Sequence, residues 1–358
     1  MLKTVFKNVM LRGNLTDITV QNGKIISTDK TTEKGDYDFK GNRIYPGLID
    51  IHTHGCIGLD VTNDIGCLEK ISDYQAKLGV TCWYPTTNTY EFNHLIEVTK
   101  QKITGLKGAH IPGFHMEGPY ISEKKLGAMN KEYLRKPDIT ELENFKNVKM
   151  LTVAPEIQGA MEFIKNCKAI ISIGHTVCDY ETAVLAAECG AKCVTHVFNA
   201  MPPFLHREPS VVGAAIDKDL FVQVICDGIH IHSSVIKALY RIFGSDRLIL
   251  ISDSVAAAGM PDGGLMFGGQ KVVIKNGIVR TLSGALAGST ANLYHCVKKA
   301  IEFGISPDEA FKMATETPAK LMGLNKGVIA VGFDADFIEV DSKFNLLNTY
   351  ILGEKYSK

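Results

Sequence analysis

The feature that most constrains the fold is a series of short apolar runs that alternate with longer stretches of helical periodicity. Such alternation is typical of repeated βα units, in which each helix returns the chain so that the next strand lies parallel to the last. Eight runs are present, at residues 47–54, 80–86, 110–117, 148–154, 169–175, 192–197, 220–227 and 247–253. Eight units predict an α/β fold built on a (β/α)8 TIM-like barrel. The stretch 48–326 suits the roughly 250 residues typical of such a barrel, with some insertion.

The two ends of the chain follow a different pattern, in which short β-like runs are separated by turns. Asn22-Gly23 lies between two such runs and favours a two-residue hairpin. Neither end contains enough apolar residues to bury a core alone. We therefore expect residues 1–47 and 327–358 to pair into one small β-sandwich domain, with the catalytic barrel at 48–326 between them. Within the barrel, 124–138 and 263–282 are the expected insertions, the second as a hairpin around Asn276-Gly277.

Composition excludes several classes of protein. The chain has 358 residues, 39 Lys and Arg against 39 Asp and Glu, and a hydrophobic fraction of 45%, which is enough to exclude a disordered chain. A formal charge of zero argues against nucleic acid or an anionic membrane as the main partner, because both are bound through clustered Lys and Arg. No apolar run is long enough to span a bilayer and no signal peptide is visible. Nine cysteines without a CxxC pair indicate reduced thiols, so we expect a cytoplasmic protein.

Residues able to bind a metal recur where the apolar runs end. The set is His52, His54, Glu117, His175, His196 and Asp253. In a barrel, the carboxyl ends of all strands open on one face, where active sites are built. A single histidine at a strand end is more often a packed or hydrogen-bonded residue than a ligand. Six such residues converging on one face are much harder to explain by packing.

The residue types point to metal-dependent hydrolysis. His52 and His54 are two apart on a strand, so both side chains point to the same side. A buried Glu117 is costly alone, and a divalent cation compensates its charge. One glutamate and two histidines with an open position form the ligand set of hydrolytic Zn²⁺ sites, where the cation lowers the pKa of bound water to about 7. Asp253 is then suited to act as the general base for that water.

Six motifs, in order along the chain, resemble those of a known family. They are His52-Thr53-His54, HMEGPY at 115–120, GHT at 174–176, THVFNAM at 195–201, CDGIH at 226–230 and ISDS at 251–254. Together they resemble the amidohydrolase superfamily and, within it, the deacetylases of N-acetylated hexosamine 6-phosphates. The resemblance covers nearly the whole chain. It implies hydrolysis of the acetamide of N-acetylglucosamine 6-phosphate to glucosamine 6-phosphate and acetate, a step of amino sugar catabolism.

The resemblance also implies the metal ligands. Glu117, His175 and His196 would bind the catalytic divalent cation. His52 and His54 would complete a second position, so one or two ions per subunit are expected. Zinc is the first expectation, and iron, cobalt and manganese are alternatives because histidine and carboxylate ligands suit all of them.

The substrate groups implied by the resemblance lie on other loops. Asp253 would take a proton from the attacking water and deliver one to the leaving amine. Arg207, His230, Asn199 and the backbone N–H of Ala200 would bind the sugar phosphate. An arginine suits this role because its planar fork matches phosphate oxygens.

Two more loops resemble the family's substrate-contacting segments. Leu286, Ala287 and Gly288 lie in the glycine-rich loop after the eighth strand, and Ala128 and Met129 lie in the loop after the third. Members of the family often have a histidine near the position of Met129 in the loop after the third strand. Met129 cannot donate the hydrogen bond that such a histidine would give to the substrate. The galactosamine epimer is therefore an alternative substrate.

Alternative functions stay open at this point. Another C–N hydrolase of the superfamily, such as a cyclic-amide hydrolase or an aminoacylase-like enzyme, is the alternative among enzymes. Arg207, His230 and Asn199 favour a phosphorylated sugar, because a neutral amide needs no anion-binding group. A non-catalytic scaffold is the alternative outside the enzymes, and the presence of Asp253 and of every ligand argues against it. The resemblance further implies a homodimer, in which Arg207 or His230 reaches the neighbouring subunit's phosphate.

Overall fold

The structure of the chain, a computed structural model, describes residues 3–267 and 270–357. The strands in these ranges fall into four sheets. In chain order they are β1 (Lys3–Leu11), β2 (Asn14–Gln21), β3 (Lys24–Ser27), β4 (Tyr37–Asp38), β5 (Arg43–Pro46), β6 (Leu48–Thr53), β7 (Gly55–Cys56), β8 (Leu59–Asp60), β9 (Val80–Thr87), β10 (Phe114–Glu117), β11 (Val148–Val153), β12 (Ile170–Ile173), β13 (Cys193–Val194), β14 (Phe221–Ile225), β15 (Leu248–Ile251), β16 (Gly263–Phe267), β17 (Gln270–Lys275), β18 (Ile278–Thr281), β19 (Phe337–Val340), β20 (Leu346–Ile351) and β21 (Glu354–Lys355).

The helices lie mainly between the strands of the central sheet. In chain order they are α1 (Leu68–Lys77), α2 (Phe92–Thr99), α3 (Ala160–Asn166), α4 (Tyr180–Cys189), α5 (Ser210–Asp217), α6 (Ser233–Arg247), α7 (Leu293–Glu302), α8 (Pro307–Lys312) and α9 (Glu316–Met322). Short 3₁₀ helices at Glu123–Lys125, Lys131–Tyr133 and Ile139–Asn144 follow β10. None of the helices in residues 3–267 and 270–357 is long and apolar enough to cross a membrane.

Eight parallel strands form the central barrel. Their order is β6-β9-β10-β11-β12-β13-β14-β15, and every neighbouring pair is parallel. The barrel is closed between its first and last strands by two backbone hydrogen bonds, from Asp253 N to His52 O at 3.0 Å and from His54 N to Ser254 O at 2.7 Å. The predicted (β/α)8 fold is confirmed, and each of the eight apolar runs contains one barrel strand.

Except for β9, which extends one residue past its run, the barrel strands are shorter than the apolar runs that predicted them. The ladder ends before His175, His196 and Asp253, whose φ angles are 48°, 27° and 47°. L-residues rarely adopt this left-handed region, and it breaks the pairing of extended strands. Non-glycine residues held there cluster at functional sites, where the surrounding structure compensates the cost. The strand ends therefore turn these three side chains out of the sheet register.

The second large sheet is built from both ends of the chain. Its order is β21-β20-β19-β5-β1-β2-β3, with β4 paired to β1. Phe6 from the N-terminal part packs against Phe337 from the C-terminal part, with ring centroids 5.0 Å apart and planes at 89°. Phe39 and Tyr350 belong to the same buried cluster. Each end supplies part of this aromatic core, which explains why the two ends form one small β domain.

A three-stranded antiparallel sheet, β16-β17-β18, lies within the predicted insertion 263–282. Residues 268 and 269 of that insertion lie outside the described residues. Asn276 and Gly277 have φ angles of 52° and 70°, as a type I′ hairpin turn requires, and Asn22 and Gly23 have the same pattern at 51° and 75°. Val272 is buried in one cluster with Ala287 of the loop after the barrel. This small sheet therefore packs against the loop that borders the barrel mouth.

Candidate active site

Four histidines and a glutamate meet at the carboxyl ends of the barrel strands. Within the described part of the chain, two groups of potential metal ligands lie here, one of His52, His54 and Glu117 and the other of Glu117, His175 and His196. The ligand atoms of each group lie within 4.8 Å of one another, and all five side chains are buried. Glu117 belongs to both groups.

The Glu117 carboxylate lies between the two groups. Its Oε1 is 2.8 Å from His196 Nε2 and 3.2 Å from His175 Nε2. Its Oε2 is 3.1 Å from His54 Nε2. Oε1 is also 3.4 Å from His52 Nε2, so the carboxylate contacts both groups and can serve two cation positions.

Hydrogen bonds on the far side of two rings orient the histidines. His52 Nδ1 lies 3.0 Å from Gln223 Oε1, and His175 Nδ1 lies 2.7 Å from the carbonyl oxygen of Lys125. Both partners are acceptors, so Nδ1 has a proton, and in the neutral form of each ring the Nε2 lone pair faces the cluster. This tautomer is the one required for binding a metal through Nε2.

The Nε2 atoms facing the cluster lie close together in two pairs. His52 Nε2 is 3.2 Å from His54 Nε2, and His175 Nε2 is 3.1 Å from His196 Nε2. The outer Nδ1 atoms of His54 and His196 are buried and have no hydrogen-bond partner in the described residues, so these two rings can present Nε2 either as a donor or as a lone pair. The donor set of imidazole nitrogens and one carboxylate therefore fits a divalent cation.

The electrostatics of the cluster agree with cation binding. Burial alone raises the pKa of Glu117, but the neighbouring His52 and His175 outweigh it and hold the pKa well below its usual range. Burial lowers the pKa of His52 and of His54, but the carboxylates of Glu117 and Asp253 reverse the direction and raise both. Two buried carboxylates thus create a negative potential that attracts positive charge.

Asp253 lies at the edge of the same cluster. Its Oδ1 is 3.4 Å from His52 Nε2 and 3.5 Å from His54 Nε2. Burial raises the pKa of Asp253, but the charge of His52 and the hydrogen bond to His54 outweigh it and lower the pKa. The carboxylate is ionised at neutral pH and can accept a proton.

A cavity of about 160 Å³ opens above the cluster. Most of the predicted site residues line it, namely His54, Glu117, Ala128, Met129, His175, His196, Asn199, Ala200, His230, Asp253, Leu286, Ala287 and Gly288. His52 belongs to the cluster but does not line the cavity. The loops after strands β10, β13, β14 and β15 therefore converge on one pocket. This agrees with the expectation that the site lies at the carboxyl ends of the barrel strands.

Arg207 is the predicted site residue that lies elsewhere. It is exposed, it does not line the cavity, and its guanidinium bonds to the ring of its neighbour His206. Phe204 and Leu205 in the same loop are 44% and 46% exposed. Within one chain, this loop points away from the pocket that holds the other substrate groups.

Met129 is anchored in the cavity wall. Its side chain is 5% exposed, and its Sδ accepts the backbone N–H of Thr89 at 3.4 Å. A thioether is a weak acceptor and never a donor, so the Met129 side chain offers no hydrogen-bond donor to a ligand.

Several residues that contribute to the site were not predicted from the sequence. Phe267 lines the cavity and meets the His54 ring edge-on, with centroids 5.8 Å apart. Gln223 and the Lys125 carbonyl orient histidines, and Asp227 bonds to His230. A polar Gln223 inside the otherwise apolar strand β14 was a usable signal. Asp227 lies within the CDGIH motif, whereas Phe267 and Lys125 carry no signal in the sequence because only the folded loops bring them to the site.

His115 lies beneath the cluster rather than in the cavity. Its ring meets that of His52 edge-on with centroids 4.6 Å apart, and its Nε2 is 2.9 Å from Thr152 Oγ1. Burial lowers its pKa well below the usual value. A neutral His115 therefore supports the His52 ring by packing.

The fold and the site define a barrel hydrolase with buried metal ligands at the strand ends, and comparison with known proteins agrees. The amidohydrolase family matches residues 43–355. The N-acetylglucosamine-6-phosphate deacetylase of Vibrio furnissii is 38% identical over 87% of this chain and 82% of its own length. The N-acetylgalactosamine-6-phosphate deacetylase of Escherichia coli O157:H7 is 33% identical over 86% of each chain. The crystal structure of N-acetylglucosamine-6-phosphate deacetylase from Pasteurella multocida superposes with a TM-score of 0.93 over 100% of both chains at 30% identity.

The chain therefore belongs to the amidohydrolase family and is a hydrolase. The family assignment made from six sequence motifs is confirmed.

Proposed function

We propose that this protein is a metal-dependent deacetylase that hydrolyses the acetamide of N-acetylglucosamine 6-phosphate to glucosamine 6-phosphate and acetate. The observation that carries the proposal is the buried cluster in which Glu117 joins two groups of ligands beside Asp253. The deacetylases among its relatives act on N-acetylated hexosamine 6-phosphates, as their names state.

The ligands divide into two positions. Glu117, His175 and His196 would hold the catalytic divalent cation, and His52 and His54 would complete a second position, so we propose one or two ions per subunit. A divalent cation bound by these ligands would lower the pKa of a water molecule and polarise the amide carbonyl. Zinc is the proposed metal, and iron, cobalt or manganese would suit the same ligands.

Asp253 carries the proton during the reaction. Its ionised carboxylate removes a proton from the attacking water and then delivers one to the nitrogen of the leaving amine. The left-handed φ of 47° at Asp253 aims the carboxylate at the cluster rather than along the strand. Burial of the surrounding side chains excludes bulk water and strengthens each of these electrostatic contacts.

The phosphate is bound at the other end of the cavity by His230, Asn199 and the backbone N–H of Ala200. The Ala200 carbonyl already accepts Thr176 N at 3.1 Å, and its N–H has no partner in residues 3–267 and 270–357. Asn199 Nδ2 donates to the carbonyls of His196 and Val197, so a contact between Asn199 and the phosphate would exchange one of these two bonds. The segment from Leu286 to Gly288 closes the remaining side of the pocket over the sugar.

Arg207 completes the phosphate site from a neighbouring subunit. Its exposure outside its own cavity, together with exposed Phe204 and Leu205, suits a loop that packs against a second copy of the chain. We therefore propose a homodimer, working in the cytoplasm, in which this loop crosses the interface. The domain limits proposed for each subunit are 1–47 with 327–358 for the small β domain and 48–326 for the barrel.

The galactosamine epimer is the second candidate substrate. It is favoured by one observation, the thioether of Met129 in the cavity wall where a hydrogen-bond donor is otherwise expected. The relative from Escherichia coli O157:H7 is named for that epimer.

A direct assay tests the proposal. Acetate release is measured from N-acetylglucosamine 6-phosphate, from its galactosamine epimer and from an N-acetyl amino acid, each at the same concentration. We expect the glucosamine compound to have the highest kcat/KM. A higher value for the epimer would move the assignment to the second candidate, and activity on the amino acid alone would exclude both sugars.

A further inference from the structure

Asp227 and His230 form a hydrogen-bonded pair beside the cavity, on the loop after β14. His230 Nδ1 lies 2.7 Å from Asp227 Oδ2. Asp227 Oδ1 accepts the backbone N–H groups of Ile229 at 2.8 Å and of His230 at 2.9 Å. The side chains of His230 and Asp227 are only 5% and 2% exposed. Two backbone donors thus fix the carboxylate so that its second oxygen faces one ring nitrogen.

This pairing decides which nitrogen of His230 faces the ligand. Because the carboxylate is an acceptor, Nδ1 carries a proton. His230 lines the cavity, and its Nε2 has no hydrogen-bond partner in residues 3–267 and 270–357. A neutral ring in this tautomer presents a lone pair at Nε2, which repels a phosphate oxygen. A protonated ring presents an N–H donor and a positive charge.

The charged groups around His230 favour the protonated ring. Burial lowers the pKa of His230, but the hydrogen bond and negative charge of Asp227 outweigh it, and Asp253 acts in the same direction. Arg280 of β18 opposes them, and the net pKa is raised above its ordinary value. Lys299 of α7 lies beside the same loop.

We propose that Asp227 is a positioning residue for anion binding, which holds His230 as an imidazolium with Nε2–H available to an oxygen of the substrate phosphate. The inference rests on the proposed function, in which His230 contacts that phosphate. Ser289 Oγ lies 3.5 Å from Asp227 Oδ2, and Ser289 N donates to the carbonyl of Asp253 at 2.9 Å. Asp227 therefore also links the anion-binding histidine to the strand end that carries the proton-transfer residue.

The first test is an NMR titration of histidine-labelled wild-type protein. The His230 resonance is assigned as the one missing from His230→Gln. We expect His230 to titrate above the ordinary histidine value of about 6.5, and inorganic phosphate to shift its resonance. This measurement depends neither on a variant at Asp227 nor on the identity of the sugar.

The second test is Asp227→Asn, which keeps an oxygen for the two backbone donors and removes the charge. We expect the pKa of His230 to fall, because the negative charge that raises it is removed. Between pH 7 and pH 8, the KM of this variant for the phosphorylated substrate should be about tenfold higher than that of wild type. Its kcat should stay within about twofold of wild type. Asp219→Asn, at a side chain that is 85% exposed, is the matched control and should change neither quantity.

The outcomes separate this inference from the proposed function. The role of Asp227 is overturned if the pKa of His230 in wild-type protein is at or below the ordinary histidine value. It is also overturned if the His230 resonance does not shift when inorganic phosphate is added. An unchanged pKa in Asp227→Asn also overturns it. Absence of acetate release by wild-type protein overturns the proposed deacetylase activity, while the titration still decides whether Asp227 keeps His230 protonated for an anion.

Discussion

The Nε2 atoms of His175 and His196 face each other at 3.1 Å. The carbonyl oxygen of Lys125 accepts the Nδ1 proton of His175, so the nitrogen that faces His196 has a lone pair rather than a proton. Two basic nitrogens with Glu117 Oε1 at 2.8 and 3.2 Å form a set of donors arranged for a cation. The fold therefore holds the ligands in place before any metal arrives.

Removal of the metal should lower stability as well as activity. A ligand that binds only the folded state at 100 times its Kd adds about 2.7 kcal/mol to the free energy of unfolding. We expect chelator-treated protein to melt at a lower temperature and to regain both its melting temperature and its activity when Zn²⁺ is added. Glu117→Gln should bind less metal by elemental analysis, whereas exposed Glu143→Gln should bind as much as wild type. Full metal content in Glu117→Gln contradicts the shared-carboxylate assignment.

Asp253→Asn should remove turnover without unfolding the protein. Asparagine tolerates the left-handed φ of 47° found at this position, so the substitution changes the charge and not the backbone. We expect kcat to fall by about 10² to 10⁴, the usual contribution of general acid–base catalysis. Metal content and melting temperature should stay close to wild type, and Asp262→Asn on the exposed loop should keep normal kcat. A kcat within tenfold of wild type would remove Asp253 from the proton-transfer role.

Arg207→Ala should raise KM for phosphorylated substrate by about tenfold with little change in kcat, because a charge-assisted hydrogen bond to the phosphate is lost. An unphosphorylated N-acetyl sugar should show no difference between variant and wild type, and Arg241→Ala serves as the exposed control. Sedimentation analysis at the assay concentration should show a dimer. A monomer with normal KM contradicts the proposal that this loop crosses to a second subunit.

Met129→His should change the preference between the two hexosamine epimers. A histidine supplies a hydrogen-bond donor where the thioether supplies none, and such a donor discriminates hydroxyl positions strongly. We expect the ratio of kcat/KM values for the two 6-phosphates to change by about tenfold or more. Met129→Leu conserves volume and should leave the ratio near wild type. An equal ratio in all three proteins shows that this wall does not contact the distinguishing hydroxyl.

Asp17 should make the small β domain sensitive to acid. Burial raises its pKa, but hydrogen bonds from Lys7 and from the backbone of Thr31 and Asn8 outweigh it and lower the pKa to about 2. Because the pKa is depressed in the folded state, this stabilisation is present above about pH 4 and is lost as the pH falls toward 2. Lys7 is partly solvent-exposed and screening is substantial, so Asp17→Asn should cost about 1 kcal/mol at pH 7.

Urea unfolding of wild type and Asp17→Asn at pH 7 and at pH 2.5 measures that difference. The difference in free energy of unfolding between wild type and Asp17→Asn should be smaller at pH 2.5 than at pH 7. The control Asp29→Asn, at an exposed position, should have the same free energy of unfolding as wild type at both pH values. A gap that stays constant between the two pH values contradicts the role of the Asp17 charge.

The histidines and the glutamate at the strand ends could be predicted, because the carboxyl ends of all barrel strands lie on the same face. Each barrel strand is a recognisable apolar run, and every run ends on the same face. His52, Glu117 and His196 could therefore be placed together without knowing any contact. The lengths of β12, β13 and β15 were overestimated, because nothing in the sequence marks the left-handed turns at His175, His196 and Asp253.

Residues on loops were predicted less well, because a loop can leave the barrel in more than one direction. Arg207 and His230 both carry charge suited to phosphate, yet only His230 lines the cavity of its own chain. The bond between Asp227 and His230 is local in sequence, but its orientation toward the cavity is a property of the folded loop.

The sequence by itself determined the eight-unit barrel, the joining of both chain ends in one sheet and the set of residues able to bind metal. It did so through hydrophobic periodicity and through ligand chemistry, which are both local properties. The tertiary structure decided which oxygen of Glu117 faces which histidine, which ring nitrogen of His175 has its proton and where Arg207 lies. These depend on distances between segments far apart in the chain, and such distances are fixed only when the strands pack and the barrel closes.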